Sequence, residues 1–210
     1  MPGTRPPRKD PLPRKRQLLA KLIAYLAKHG LADLSLRPMA AATGTSARLL
    51  IFHFGSKEGL LVEVLAEMQA RLQRSFGEFL AANPAPRRVP LLRLFWDWAT
   101  TGENYHYHRL LYQLQLLAAQ NPKVYGRYLK EISSSWLELI QPALPPSQQT
   151  PGFATLYGAV FDGLFIELMS TGDHRRVGRA LEEFISLAQA HAAASSKTPP
   201  LTRPMSRLRR

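Results

Sequence analysis

Apolar residues recur at helical spacing along this chain, and no segment shows the strict alternation that a half-buried strand would need. In the first such segment, Leu18, Leu22 and Leu26 repeat every four residues and would share one face of a helix that ends near Gly30. A chain patterned in this way must build its core from helix–helix contacts. We therefore expect an all-α protein of about nine helices.

Clusters of proline, glycine and small polar residues separate the helical segments, at 83–90, 142–152 and 170–173. Both ends of the chain are rich in proline and basic residues and have no helical periodicity. We therefore expect residues 1–13 to be a disordered basic arm and residues 195–210 to be a disordered basic tail.

The absence of cysteine excludes several classes of protein. A chain without a thiol forms no disulfide scaffold, cysteine zinc site, iron–sulfur cluster or thiol nucleophile. The continuous apolar runs are far shorter than the roughly 20 residues that a membrane span needs. We expect a cytoplasmic protein with no membrane partner.

Catalytic and metal-binding patterns are also missing from the sequence. It contains no nucleophile-elbow, metalloprotease-helix or phosphate-loop motif. His106 and His108 are two residues apart, which puts them on different faces of a helix and argues against a shared metal. We expect no enzymatic activity, no metal site and no cofactor.

The formal net charge of +13 is concentrated at the two ends. Residues 1–60 hold eleven basic and three acidic side chains, residues 61–196 hold twelve of each, and residues 197–210 hold five basic side chains and no acid. Such asymmetry favours a polyanionic partner, with nucleic acid ahead of a membrane surface. A solvated basic tail that binds nothing accounts equally well for the last fourteen residues.

The stretch LSLRPMAAATGTSARLLIFHFGSKEGLL (34–61) carries the most informative pattern. Its spacing is that of a helix-turn-helix: Ala40 where two helices touch, Gly44 in the turn and Leu50 as an apolar anchor in the second helix. Ser46 is placed to cap that second helix. Helical hairpins with a glycine turn are also common in purely structural proteins, so the spacing alone does not decide the function.

The second helix of this motif has an unusual outward face. At 100° per residue Leu50 and Phe54 share the core face, and Arg48 and Phe52 point away from it. The positions that flank the outward face are Leu49 and Ile51. An apolar patch beside a basic residue is typical of a binding surface, and thymine methyl groups together with phosphates would suit it.

Two neighbouring features have both a functional and an ordinary interpretation. His53 lies to one side of the second helix and could either contact a phosphate or pack as a core histidine. Ser56 and Lys57 combine a helix N-terminus with a cation, an arrangement that binds phosphate but also occurs in ordinary helix capping.

Residues 14–65 resemble the DNA-binding domain of the tetracycline-repressor (TetR) family of bacterial transcription regulators. The resemblance rests on the S-L-R-x-x-A-x-x-x-G opening and on H-F-G-S-K-E-G-L from His53 to Leu60. It implies a DNA contact by Arg37, base reading by the helix start at 47–49 and a phosphate contact by Lys57. The chain departs from the family pattern at Ile51, where a tyrosine is usual, and at Leu49, which replaces a frequent threonine. The predicted DNA-binding residues are Arg37, Ser46, Ala47, Arg48, Leu49, Ile51, Phe52, His53 and Lys57.

The neutral middle of the chain is predicted to bind a small molecule. The segment 105–120 is apolar or aromatic nearly all round, and a few polar side chains lie within and around it. Apolar walls with few polar groups describe a ligand pocket, although they also describe a plain aromatic core. The predicted pocket residues are Trp98, Tyr105, His108, Tyr112, Gln113, Tyr128 and Trp136.

The segments 153–168 and 174–191 are predicted to form a homodimer interface. Their apolar faces are broader than one small domain can cover, and in the family that the chain resembles the last two helices pair with their copies. A monomeric core is the alternative interpretation. The predicted interface residues are Phe153, Tyr157, Phe161, Leu164, Leu168, Leu181 and Phe184.

Together these observations predict a homodimeric transcriptional regulator. A helix-turn-helix domain at 14–57 would bind a palindromic DNA operator, and a domain at 58–194 would bind a small apolar or aromatic effector and dimerise. We expect a repressor that the effector releases from DNA. The alternative is a basic helical protein that coats nucleic acid or an anionic membrane surface without sequence preference.

Overall fold

The computed structural model describes residues 11–30, 34–82 and 90–197, with side chains at 14–30, 34–82 and 90–196. Every regular element in these ranges is helical, so the expected all-α fold of nine helices is confirmed for them. The helices are α1 (Pro11–His29), α2 (Leu36–Ala42), α3 (Ala47–Phe54), α4 (Lys57–Ala82), α5 (Leu91–Ala99), α6 (Gly102–Ala119), α7 (Pro122–Ile140), α8 (Pro151–Thr171) and α9 (His174–Lys197). Two 3₁₀ turns, Gln141–Ala143 and Pro146–Gln148, join α7 to α8.

Two terminal boundaries differ from the prediction. Helix α1 begins at Pro11 and helix α9 ends at Lys197, so three residues at the inner edge of each predicted disordered segment are helical. Proline is tolerated at the start of a helix, because the first N–H groups have no intrahelical acceptor there. The rest of the predicted arm and tail, residues 1–10 and 198–210, lies outside the described residues.

The chain divides into two compact units. Unit 1 comprises residues 1–86 and 97–135, and unit 2 comprises residues 87–96 and 136–210. The boundary predicted between residues 57 and 58 falls at the first turn of α4, and α4 packs against α1, α3 and α6 within unit 1. Unit 1 therefore contains the predicted helix-turn-helix together with part of the predicted effector domain.

Helix α4 forms the centre of unit 1. Its buried face includes Leu60, Val64, Met68 and Leu72, which follow one another at helical spacing. The apolar stripe of α1 is likewise buried at Leu18, Leu19, Leu22, Ile23 and Leu26, as the spacing of these residues predicts. Gly30 follows α1 with φ +69, a left-handed conformation that suits glycine and ends the helix.

An aromatic cluster forms the core of unit 2. The ring of Phe161 in α8 lies 4.5 Å from that of Phe95, and Phe165 is fully buried beside it. Helix α8 packs against α9, whose Val177 and Leu181 are also buried. Gln148 satisfies its buried amide by donating to the Ala188 carbonyl at 2.7 Å and accepting from the Tyr157 hydroxyl at 2.8 Å.

Helix α8 is more apolar than its burial explains. Among the described helices it is the one that is long and apolar enough to cross a membrane. Only 22% of its apolar stretch is buried in the protein. It carries two carboxylates, Asp162 and Glu167, and Glu167 is paired with Arg176 of α9. The apolar surface of α8 is therefore largely exposed in the protomer, and its ion pair is typical of a helix beside water.

Candidate nucleic-acid interface

Helices α2 and α3 are joined by a tight turn that the sequence anticipates. Met39 and Ala40 are buried at the contact between the two helices. The buried Thr43 hydroxyl donates to the Met39 carbonyl at 2.8 Å, which satisfies this polar group inside the turn. Gly44 has φ +70, and Thr45 N–H donates to the Ala40 carbonyl at 2.9 Å. The turn is therefore fixed by hydrogen bonds as well as by glycine.

Helix α3 is held by its first residues and by two core anchors. The Ser46 hydroxyl accepts a hydrogen bond from Leu49 N–H at 3.2 Å, which confirms Ser46 as the N-cap. Leu50 is fully buried and Phe54 nearly so, as the helical projection predicts. Gly55 has φ +77 and ends the helix.

The side of α3 opposite these anchors is exposed. Arg48 is exposed, and Phe52 retains 76% of its accessible surface. Ile51 is 38% exposed, and Leu49 is half-buried. The predicted orientation of the helix is confirmed. A cation and two apolar side chains on a well-anchored helix can contact base edges, methyl groups and phosphates at once.

The remaining predicted contact residues belong to α2, α3 and α4. His53 is half-buried, and its ring meets the edges of Phe52 at 5.3 Å and of Phe54 at 6.4 Å. Arg37 is exposed in the first turn of α2. Ala47 and Lys57 are half-buried at the starts of α3 and α4.

The start of α4 is packed closely against the end of α3. The Ser56 hydroxyl accepts from Gly59 N–H at 2.9 Å and caps the helix. A Cβ atom at Gly59 would lie 2.3 Å from the Phe54 carbonyl oxygen, so a larger residue would force the two helices apart. Gly59 is part of the sequence motif, but the motif alone does not reveal this steric requirement.

Lys15 also supports the end of α3, a role that the sequence analysis missed. Its ammonium group lies 2.6 Å from the Glu63 carboxylate of α4 and 5.3 Å above the ring of Phe54. These contacts link α1, α3 and α4. Glu63 is 48 positions from Lys15 in the sequence, so no local pattern could have revealed the pair.

The predicted effector residues are divided between the two units. Trp98, His108 and Tyr128 are buried in unit 1, and Tyr105, Tyr112 and Gln113 are half-buried there. Trp136 belongs to unit 2, where its ring meets the edge of Phe95 at 5.5 Å.

His108 has the most perturbed environment of these residues. Its ring packs edge-on against Trp98 at 5.2 Å, and Nδ1 lies 2.9 Å from the Asn104 carbonyl oxygen. Burial lowers the pKa of His108 to about 4, which the hydrogen bond to Asn104 offsets only in part. His108 is therefore neutral at pH 7.

Two buried polar atoms of unit 1 lack a hydrogen-bond partner in the part of the chain that the structure describes. They are Oε1 of Gln69 in α4 and the hydroxyl oxygen of Tyr128 in α7. Gln69 Nε2 donates to the Ile132 carbonyl, one turn beyond Tyr128, at 3.5 Å. Burial also raises the pKa of Tyr128. Gln69 was not among the predicted residues, although a glutamine within the buried stripe of α4 is a signal that the sequence carries.

The predicted dimer residues fall into two groups. Phe161, Leu168 and Leu181 are buried in the core of unit 2, which leaves them no surface for a second copy. The half-buried members are Phe153, Tyr157, Leu164 and Phe184. Exposed apolar side chains that the prediction omitted are Leu156 (47%), Ile166 (38%) and Leu187 (69%).

Metal binding receives no support from the described residues. Among them, no group of three or more histidine, aspartate or glutamate side chains is placed to hold a metal ion.

The N-terminal helices match a known sequence family. Residues 18–64, from α1 into α4, match the family described as bacterial regulatory proteins, tetR family. No curated protein matches the sequence.

Solved structures share the fold over most of the chain. A transcriptional regulator from Pseudomonas aeruginosa PAO1 has a TM-score of 0.66 at 20% identity, over 89% of this chain and 96% of that one. The multidrug-binding protein EbrR bound to ethidium has a TM-score of 0.65 at 21% identity, over 83% and 98%. A transcriptional regulator from Saccharomonospora viridis in complex with choline has a TM-score of 0.63 at 21% identity, over 83% and 96%. At these identities the likeness establishes the fold.

Proposed function

We propose that this chain is a repressor of the TetR family that a small molecule releases from a palindromic operator, and the match of residues 18–64 to the tetR family of bacterial regulatory proteins supports this proposal. The observation that carries the proposal is the exposed face of α3. Arg48 and Phe52 point outward from a helix that Leu50 and Phe54 anchor in the core. A protein that binds an operator in a bacterial cell would act in the cytoplasm, which is the location we propose.

Arg48 is the residue best placed to read a base. It lies in the first turn of α3, and the N-terminal residues of a recognition helix are those that reach base edges in the major groove. Its guanidinium can donate two parallel hydrogen bonds to guanine. The DNA backbone is proposed to be contacted by the other polar residues of the motif, Arg37, Ser46, His53 and Lys57.

Ile51 changes how the helix holds the DNA. It stands where the family usually has a tyrosine, and an aliphatic side chain donates no hydrogen bond to a phosphate. With Leu49 and Phe52 it gives α3 an apolar surface suited to thymine methyl groups. The net charge of +8 over residues 1–60 supplies a compensating attraction to the phosphate backbone.

The homodimer is proposed to form through α8 and α9. A palindromic operator needs two copies of α3 related by a twofold axis. The exposed apolar residues of α8 and α9, Leu156, Ile166 and Leu187, are suited to a contact with a second copy.

The effector is proposed to bind in unit 1 among the aromatic residues of α5, α6 and α7. The buried, unpartnered oxygens of Gln69 and Tyr128 would supply its hydrogen bonds within otherwise apolar surroundings. Similarly folded proteins bind ethidium, proflavin and choline. Of these ligands ethidium and proflavin are aromatic, which supports an apolar or aromatic effector for this chain, whereas choline is a small cation. Trp136, which belongs to unit 2, is not part of the site proposed here.

Substitutions at Arg48 and Lys57 test the proposed operator binding. An operator is first selected from random DNA, and both variants are then titrated against the operator and a scrambled duplex. Arg48→Ala should weaken operator binding by about 1–3 kcal/mol and relax the preference at one base pair in each half-site. Lys57→Ala should weaken both duplexes equally and lower the salt slope by about 0.9 per subunit.

The same titration distinguishes the alternative, which the basic ends of the chain favour. A protein that coats nucleic acid would yield no preferred sequence in the selection and would bind both duplexes equally. Arg48→Ala and Lys57→Ala would then have the same effect, which would refute the assignment of Arg48 to base reading.

A further inference from the structure

Gln69 lies on a largely apolar face of α4. Leu72 and Phe76 share this face, three and seven residues further on, and both are buried. The ring of Phe76 lies 5.0 Å from that of Trp98, and the ring of Trp98 lies 5.2 Å from that of His108. Gln69 is therefore on the face of α4 that meets the aromatic cluster of unit 1.

The side-chain amide of Gln69 is oriented by a contact with α7. Its Nε2 donates to the Ile132 carbonyl at 3.5 Å. The opposite orientation would put Oε1 against the carbonyl oxygen, and two acceptors form no hydrogen bond. Oε1 is buried and has no partner among the described residues. Because an amide oxygen can only accept, the group that completes this site must be a donor.

The hydroxyl of Tyr128 is a second such group in the same region. Tyr128 precedes Ile132 by one turn on the buried face of α7, and within the described chain its oxygen also lacks a partner. A ligand that pairs with such groups recovers the free energy that their burial costs. Gln69 and Tyr128 are only 5% and 8% exposed, so the ligand would be enclosed between α4 and α7, and the two helices must separate to admit it.

The charged side chains of the surrounding helices lie away from Gln69. Glu67 and Arg71, its nearest charged neighbours on α4, project from the opposite side of the helix at 100° per residue. The acidic and basic side chains of α6 and α7 are all exposed except His108, which is neutral at pH 7. A buried ion without a countercharge is strongly destabilised. These surroundings therefore select against cations and anions alike.

We propose that the effector is an uncharged molecule with an apolar or aromatic body and an N–H or O–H group that donates to Gln69 Oε1. Gln69 is then the residue that determines which ligands bind. The Tyr128 hydroxyl, which can donate or accept, pairs with a second polar atom of the ligand where there is one. This inference rests on the proposed effector site in unit 1 and does not depend on operator binding.

Four bicyclic aromatic probes test the donor and the charge separately. Indole and benzofuran have nearly the same shape, but only indole carries an N–H donor; 1-methylquinolinium is a cation and 2-naphthoate is an anion. Each probe is titrated into the full-length protein by calorimetry at pH 7. We expect indole to bind roughly tenfold more tightly than benzofuran, which leaves Oε1 unpaired, and more tightly than either ion. Equal binding of indole and benzofuran would overturn the need for a donor, and tighter binding of either ion would overturn the need for an uncharged ligand.

Matched glutamine variants test whether Gln69 sets this preference. Gln69→Leu removes the acceptor and should bind indole and benzofuran equally. Gln73→Leu removes another hydrogen bond between α4 and α7, from Gln73 Nε2 to Ser135 Oγ at 2.6 Å, and should keep the preference for indole. Looser packing of the helices would change both affinities and leave their ratio intact. A Gln69→Leu variant that still prefers indole would overturn the role of Gln69.

Gln69→Glu tests the charge of the site with a side chain of the same shape. A carboxylate at this position should raise the affinity for 1-methylquinolinium roughly tenfold, because it supplies the missing countercharge. Circular dichroism checks that the variant is folded, and an unchanged affinity in the folded variant would overturn the contact between Gln69 and the ligand.

The same titrations separate this inference from the proposed function. Probes that bind without regard to donor or charge would overturn this inference alone. Binding of none of the four probes, by a protein that still selects an operator, would overturn the proposed effector site as well and would leave operator binding intact.

Discussion

Phe52 has the most exposed large apolar side chain among the residues that the structure describes, at 76%. Leaving such a side chain in water costs free energy that contact with an apolar group of DNA would recover. Thymine offers a methyl group in the major groove, and deoxyuridine differs from it only by lacking that methyl. We expect an operator with deoxyuridine at the contacted position to bind about 0.8 kcal/mol more weakly per methyl group.

Phe52→Ala should bind both operators equally, because the side chain that distinguishes them is gone. Leu116→Ala removes a similarly exposed apolar side chain from α6 and should keep the preference for thymine. Competition titrations with both duplexes measure the difference. If Phe52→Ala still prefers thymine, another residue of α3 contacts the methyl group.

His108 should make the stability of the protein depend on pH. Its pKa is about 4 in the folded protein and near 6.5 when exposed, so between these values the unfolded chain binds more protons. Stability should therefore be greatest above pH 6.5 and fall as the pH drops toward 4, by roughly 3 kcal/mol over the whole interval. Urea unfolding at pH 7 and pH 5 measures the change.

His108→Gln removes this titration and should reduce the difference between the two pH values. His106→Gln removes an exposed imidazole from the same helix and serves as the control. An identical loss of stability at pH 5 in both variants would show that other groups cause the pH dependence.

The surroundings of a residue could be predicted where helical periodicity determines them. They could not be predicted where a partner distant in sequence determines them. The burial of Leu50 and the exposure of Arg48 follow from 100° per residue once the helix is located. Lys15 and Gln69 are defined by partners 48 and 63 positions away, and one sequence does not reveal such pairs. The exposure of Phe52 was predicted, but a DNA-binding role for it remains a prediction.

At the scale of elements, α8 presents an exposed stripe suited to a second copy. The stripe consists of Gly152, Leu156, Ala159, Gly163 and Ile166, which share one face at spacings of three and four residues. Its small residues allow another helix to approach closely, and Leu156 and Ile166 supply apolar contacts.

We expect Leu156→Glu to weaken the dimer and to leave the helical content unchanged, because this side chain is largely exposed in the protomer. Leu139→Glu, an exposed position of α7 in the same unit, should remain dimeric. Sedimentation velocity over a range of concentrations measures the difference. A dimeric Leu156→Glu variant would exclude the stripe from the interface.

Phe161→Ala should instead lower the free energy of unfolding of the protomer by about 3–5 kcal/mol, because the ring of Phe161 is buried.

Helix ends were predictable where glycine marks them and less so where proline begins a helix. Gly30, Gly55 and Gly172 adopt positive φ at the ends of α1, α3 and α8, close to the predicted breaks. Pro11 and Pro13 were instead attributed to a disordered arm, although both lie in the first turn of α1. Proline composition indicates a break equally well before a helix and within a linker, so the sequence alone did not separate the two.

At the scale of the whole molecule, the predicted domain boundary follows the end of the sequence motif, whereas the compact units follow contacts between helices. The sequence motif ends near residue 57, whereas unit 1 also includes α4, α6 and most of α7. Contacts between segments that are distant in sequence determine such a unit, and they leave no periodic signal within either segment. The motif therefore located the candidate interface, and only the structure showed that the proposed effector residues share its unit.

Symmetric binding makes the operator sensitive to spacing. Two recognition helices related by a twofold axis contact half-sites about 34–36 Å apart, one turn of DNA. Inserting about 5 base pairs between the half-sites turns one of them to the opposite face of the duplex. We expect the protein to bind this lengthened operator no more tightly than it binds a single half-site.

The Leu156→Glu variant, if monomeric, should bind the original and the lengthened operators equally, because one α3 contacts only one half-site. Electrophoretic mobility shifts with the three duplexes measure these affinities. Undiminished binding of the lengthened operator by the unchanged protein would refute the symmetric dimer as the DNA-binding species.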